Sequence, residues 1–179
     1  EQIYSVDIIC NSYLPDWRDN ISYQDSSSAS KAAGGGVLLD LSHEIDFIQF
    51  IFGDISYIFS ENRKLSKLEI DTDDYLCLIG QLEKGGLVTL NLKYYSLNKV
   101  RSLSVETDSR SIVLDILNSK ITYYSGNTVE VIESDYLFSS TYEDQHKAIL
   151  KSDFSNICSL DEGLRVMEVI NSVQLASQK

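Results

Sequence analysis

Between residue 55 and about residue 134 apolar side chains recur at every second position, and that period confines the stretch to β-strands. Val88, Leu90, Leu92 and Tyr94 alternate with Leu87, Thr89, Asn91 and Lys93; they follow Gly85-Gly86 and an apolar run over residues 75–82, which predicts a hairpin. Shorter alternating runs come next: Leu103 and Val105; Ile112, Leu114 and Ile116; Ile121 and Tyr123; Val129 and Val131. Connections this short favour antiparallel neighbours. Ahead of them, residues 2–12 carry Ile3, Val6, Ile8 and Ile9 and read as a strand. Val37, Leu38, Leu41, Ile45, Ile48 and Phe52 then change the period to three and four, predicting a buried amphipathic helix that ends near Gly53. Two more helices close the chain, each announced by an S-x-x-E capping box, Ser140 with Glu143 and Ser159 with Glu162. A sheet with one apolar and one mixed face needs helices on one side only. The predicted class is therefore α+β: a mostly antiparallel, open-faced sheet with helices packed on one side.

At 179 residues the expected organisation is a single domain over residues 1–179. Fifteen basic against 27 acidic residues leave a formal charge of -12, and the scattered bases argue against nucleic acid or an anionic membrane as partner. No apolar run approaches the roughly 20 residues of a membrane helix. Cys10, Cys77 and Cys158 are odd in number and far apart, signalling neither a disulfide framework nor a zinc site. Without a charged and apolar leader the expected compartment is the cytoplasm, although the chain begins at Glu1 rather than Met.

Chemistry concentrates in residues 34–46, Gly-Gly-Gly-Val-Leu-Leu-Asp-Leu-Ser-His-Glu-Ile-Asp. On one continuous helix Asp40, His43 and Asp46 fall at three-residue steps, putting an imidazole within reach of two carboxylates. Such a histidine can exchange a proton with a substrate hydroxyl; the same spacing also suits a surface histidine ion-paired to its neighbours. A second candidate is the long segment 13–33, whose Trp17, Tyr13 and Tyr23 offer flat faces for sugar rings. Arg18 could fork onto a substrate carboxylate or phosphate, or pair with Asp16 or Asp19. Lys31, just before the glycines, is equally open in role. Asp71, Asp73 and Asp74 lack the rest of a calcium loop and read as a solvated turn, so no metal site is expected.

The run 12–18 (Ser-Tyr-Leu-Pro-Asp-Trp-Arg), the run 34–46, Ile51-Phe52-Gly53 and the tail beginning Ser159-Leu160-Asp161-Glu162-Gly163-Leu164-Arg165-Val166 together resemble the C-terminal domain of the Gfo/Idh/MocA oxidoreductases. The resemblance implies an α+β substrate-binding and oligomerisation domain, normally preceded by a Rossmann domain that binds NAD or NADP. It implies a sugar, sugar nucleotide or related polyol as substrate, and a homo-oligomer formed through the open sheet face. His43 is the position matching the family's histidine, with Asp40 beside it as the catalytic pair. Trp17, Arg18, Tyr23, Lys31 and Asp46 are the implied substrate contacts. Many members carry an aspartate four residues before the histidine; here that position is Leu39. No GxGxxG follows a strand, so the N-terminal Rossmann domain is expected to be absent from this chain, which alone should be inactive. A non-catalytic scaffold or sugar-binding oligomerisation module is the alternative.

Overall fold

The computed structural model describes residues 1–136 and 138–177. Eight strands form one sheet: β1 (Ile3–Tyr13), β2 (Ile55–Arg63), β3 (Tyr75–Leu82), β4 (Leu87–Lys93), β5 (Tyr95–Thr107), β6 (Ser111–Asp115), β7 (Lys120–Ser125) and β8 (Thr128–Glu133). Their order is β2-β3-β4-β1-β5-β6-β7-β8. Every neighbouring pair is antiparallel except β1 and β4, which run parallel. The expected hairpin of β3 and β4 is present, and its Gly85 and Gly86 both take φ +91°, which a residue with a Cβ rarely adopts.

Register fixes which side chains face the core. Val6 stands opposite Val88 and Val105, Ile8 opposite Leu90 and Leu103, and Cys10 opposite Leu92 and Arg101. The four helices in chain order are α1 (Val37–Asp40), α2 (His43–Phe52), α3 (Phe138–Leu150) and α4 (Leu160–Ala176); α1 packs on β3 and β4 on this face, α4 on β2, and α2 on α4, while α3 has no extensive contact with any strand. The core is one apolar cluster joining Ile8, Leu78 and Leu90 of the sheet to Leu38, Ile45, Ile48, Ile170 and Val173 of the helices. The opposite face is open, with Ile9 and Leu87 exposed beside Asp7 and Thr89. No helix is long and apolar enough to cross a membrane among the described residues.

Two local expectations are corrected. The helix predicted across residues 37–52 is two helices, because the Ser42 hydroxyl turns back onto the Leu39 carbonyl at 2.8 Å and the chain leaves helical geometry at Leu41. Gly53, at φ +86°, then ends α2 where expected. Ser140 cannot be an N-cap, since α3 is already helical at Phe138. The second box is real: the Ser159 hydroxyl accepts from the Glu162 N–H, and the Glu162 carboxylate accepts from the Ser159 N–H at 2.6 Å.

Candidate functional site

The glycine run is a packing device. A Cβ on Gly35 would stand 2.1 Å from the Ser27 carbonyl oxygen, and one on Gly36, at φ +116°, would stand 2.5 Å from Asp73 Oδ1. That close approach lets Asp73 cap α1: its Oδ2 accepts from the Leu38 N–H at 2.9 Å and its carbonyl from the Val37 N–H at 3.0 Å. Burial, then the nearby charges of Asp74 and Asp40, push the Asp73 carboxyl above its usual range against the opposing Leu38 bond. The chain's own atoms thus fill the space in which a pyrophosphate would sit, and these residues do not fit a dinucleotide. The solvated turn expected of the acidic run is also corrected. Asp74 is 0% exposed and accepts from Leu65 N–H at 2.7 Å, Ser66 N–H at 3.0 Å and the Ser66 hydroxyl at 2.5 Å, while Asp71 accepts from the Lys31 N–H at 2.6 Å. Asp73 and Asp74 are drawn inward to meet backbone N–H groups, whereas Asp71 stays exposed as expected.

His43 opens α2 with its side chain 51% exposed, and its Nε2 lies 3.3 Å from Oε1 of Glu44, whose side chain is 0% exposed. The guanidinium of Arg101, reaching in from the core face of β5, places Nε 2.6 Å from the same oxygen. Neither that N–H nor the carboxylate oxygens have hydrogen-bond alignment, so the pair is held by charge. Burial pushes the Glu44 carboxyl up, but the His43 imidazole and the Arg101 guanidinium outweigh it and hold the group below its usual range. Cys10, facing Arg101 across the strands, is pushed up to about 12 by burial and by the Glu44 charge, which leaves it a neutral thiol.

The predicted residues separate into groups. His43, Asp46 and Arg101 line one cavity of about 380 Å³, together with Cys158 and Arg165 from the approach to α4 and α4 itself. Asp46 accepts from the Cys158 thiol at 3.6 Å. Trp17 and Arg18 line a second cavity, of about 620 Å³, and Arg101 lines both. Asp40 makes no ion pair with His43 within 4.0 Å; its Oδ2 accepts from the hydroxyl of fully buried Tyr94 at 2.6 Å. Burial first, then Asp40, pushes that phenol well above its ordinary value. Trp17 meets the Tyr94 ring edge-on at 5.1 Å and donates from Nε1 to the Ser12 hydroxyl at 2.9 Å, so it pins the loop as well as lining the cavity. Tyr23 accepts from the Glu69 N–H at 3.2 Å in a crevice beside Trp17 and Arg18. Lys31 lines a separate depression with Leu39 and Asp73.

Glu44 and Arg101 are the site residues that sequence reasoning missed. Their signal was a charge standing in each apolar register: Glu44 three after Leu41 and four before Ile48, Arg101 two before Leu103. No group of three or more His, Cys, Asp or Glu among the described residues could hold a metal ion.

This open sheet, covered on one face by helices and carrying a histidine on the second of them, has a counterpart in sequence. The GFO/IDH/MocA C-terminal domain pattern matches residues 2–113, and the chain belongs to that family. No curated protein matches the chain. Among solved structures, an NAD binding oxidoreductase from Klebsiella pneumoniae superposes with a TM-score of 0.82 at 10% identity, covering 98% of this chain and 57% of that one. Levoglucosan dehydrogenase in complex with NADH and levoglucosan gives 0.78 at 15%, covering 99% and 57%. UDP-N-acetylglucosamine 3-dehydrogenase GnnA from Acidithiobacillus ferrooxidans gives 0.72 at 16%, covering 98% and 53%. The chain thus spans little more than half the length of these structures, and at such identities the likeness is one of fold.

Proposed function

We propose that the chain is the substrate-binding C-terminal domain of an NAD(P)-dependent oxidoreductase acting on a sugar, sugar nucleotide or related polyol, with the dinucleotide held outside these residues. The observation that carries the reading is His43, half exposed on a cavity wall and backed by the buried Glu44–Arg101 pair, in a chain of this family. In this reading His43 exchanges a proton with a substrate hydroxyl, while Glu44 supports the imidazole from beneath. Asp40 contributes at one remove, through Tyr94 and Trp17. Asp46, Trp17 and Arg18 meet the substrate; Tyr23 and Lys31 extend the site at its margins. The structural neighbours named for levoglucosan and UDP-N-acetylglucosamine support the sugar class. The open sheet face serves in homo-oligomer formation.

The test is His43→Ala in the full-length protein, assayed by nicotinamide absorbance against sugars and sugar nucleotides. Turnover should fall on the order of 100-fold or more with dinucleotide affinity little changed, as expected on losing a general acid–base. Unchanged turnover would remove His43 from the chemistry and leave the scaffold reading standing.

A further inference from the structure

The cavity of about 620 Å³ lies between the end of β1, the outer stretch of β5 and the loop that follows Leu14–Asp16, and its wall has a charge opposite to that of the molecule. The chain as a whole carries -12, yet the wall presents Arg18, Lys99 and Arg101 against a single acid, Asp16. Charges beyond roughly 8–10 Å are screened, so a bound group responds to these cations rather than to the distant acidic surface. Lys99 and Arg101 are two apart on β5 and both line the cavity. Arg101 is anchored from below, since Glu44 engages its Nε and its side chain is only 24% exposed. Arg18 and Lys99 are exposed, and neither has a carboxylate within 4.0 Å among the described residues. The other four arginines of the chain do: Arg63, Arg101, Arg110 and Arg165 each meet an acid. Two exposed cations without a close carboxylate, lining one cavity with a half-buried guanidinium held by Glu44, form a set of N–H donors suited to an oxyanion.

We propose that this cavity binds an anionic oxygen group of the substrate, a phosphate or a carboxylate, between Arg18, Lys99 and Arg101. This rests on the proposed function for the ring it places nearby. Because Arg101 also lines the His43 cavity, a sugar whose anionic group sits on Arg101 has its ring directed towards the imidazole, while Trp17 and Tyr13 flank the anionic end. Glu44 prevents the guanidinium from turning away and cancels part of its charge, so the two exposed cations supply most of the net attraction.

The experiment is calorimetry on the full-length protein without dinucleotide, using three probes: UDP, glucuronate and the uncharged methyl glucoside, each at low and high salt. UDP or glucuronate should bind, and the affinity should fall about tenfold or more in the Arg18→Gln/Lys99→Gln double variant and again with added salt, while the glucoside is affected by neither. Binding of UDP alone assigns a phosphate, and of glucuronate alone a carboxylate. Lys99→Glu, a charge reversal at an exposed position, should weaken the charged probes further; unchanged thermal melting of all variants shows that the fold is kept. Absence of binding by both charged probes, or binding that the double variant leaves unchanged, overturns the proposal. Anion binding without any redox activity would defeat the proposed function and keep the site, whereas His43-dependent turnover without anion binding would defeat the site alone.

Discussion

Strands β1–β5 and strands β6–β8 are built on the same alternating pattern but are buried to very different depths. Val6, Leu76, Leu78, Val88, Leu90 and Leu92 are closed off from solvent, whereas every residue of β8 is exposed, including Val129, Val131 and Ile132. The pairing is sound in both halves: β7 and β8 are in register from Ser125 and Thr128 to Lys120 and Glu133. What differs is the cover. Helices α1 and α4 lie on the first half, with α2 against α4, but α3 shares no extensive contact with any strand and leaves Ile149 and Leu150 exposed. Alternation is thus enough to specify pairing, while burial depends on which helices reach the face. The family match ends at residue 113, inside β6, close to where full burial within the sheet ends.

The strongest way to break this contrast is a pair of truncations, one on each side. Leu90→Ala removes a fully buried side chain between Ile8 and Leu78 and should cost about 2–5 kcal/mol. Val131→Ala, at a site 47% exposed, should stay within about 0.5 kcal/mol. Urea unfolding midpoints of the two variants measure the difference; equal losses would mean that β8 is as deeply packed in solution as β4.

The extent to which the sequence revealed the molecule follows the same divide. The alternation of residues 87–94 and the stripe from Val37 to Phe52 were legible because each matches one periodic face. The parallel pairing of β1 with β4 was not, because register between strands distant in sequence leaves no local mark. The break at Leu41 was hidden for a related reason: a serine's turn back to a carbonyl is decided by one hydrogen bond, and the apolar spacing continues across it. At the site, His43 stood out by type, but its partner did not. Asp40 and Asp46 had the spacing for contact on a continuous helix, whereas the carboxylate beneath the imidazole belongs to its chain neighbour Glu44, turned inward by Arg101 from a strand 57 residues on, a separation that only the folded sheet closes.

Glu44 gives a sharper test of the packed half, because it is a charge where the surroundings are apolar. Its carboxyl is held below the ordinary 4.5, so ionisation favours the folded state: the contribution is fully present above that value and is lost as pH falls through the lower folded one. Glu44→Gln keeps the shape but removes the charge beside Arg101, which reaches solvent enough to soften the penalty. A loss of about 1–3 kcal/mol at pH 7 is expected, narrowing as the wild type is acidified below the ordinary 4.5 and through its lower folded value. Thermal melts from pH 3 to 7 would show it, and parallel pH profiles for the two proteins would remove the ion pair from the stability of the core.

The smallest effect concerns reactivity rather than stability, and it places the two regions on one scale. Cys10 sits under Glu44 with its thiol pushed up to about 12 by burial and then by that carboxylate, so both access and thiolate fraction are low. Cys77 is half-buried on the open face of β3, paired opposite Asn91 and Glu61. Cys158 is exposed in the approach to α4; partial burial and then the Asp46 charge raise its pKa, but nothing closes it off from reagent. Iodoacetamide at pH 7.5, followed by mass spectrometry, should therefore modify Cys158 first, Cys77 next, and Cys10 only on the timescale of unfolding. The order follows from access, since the thiolate is scarce at both Cys10 and Cys158. Labelling of Cys10 as fast as Cys158 would mean that the floor of the cavity lined by Trp17, Arg18 and Arg101 opens while the sheet stays folded, and the Glu44–Arg101 pair could not then hold the imidazole in place.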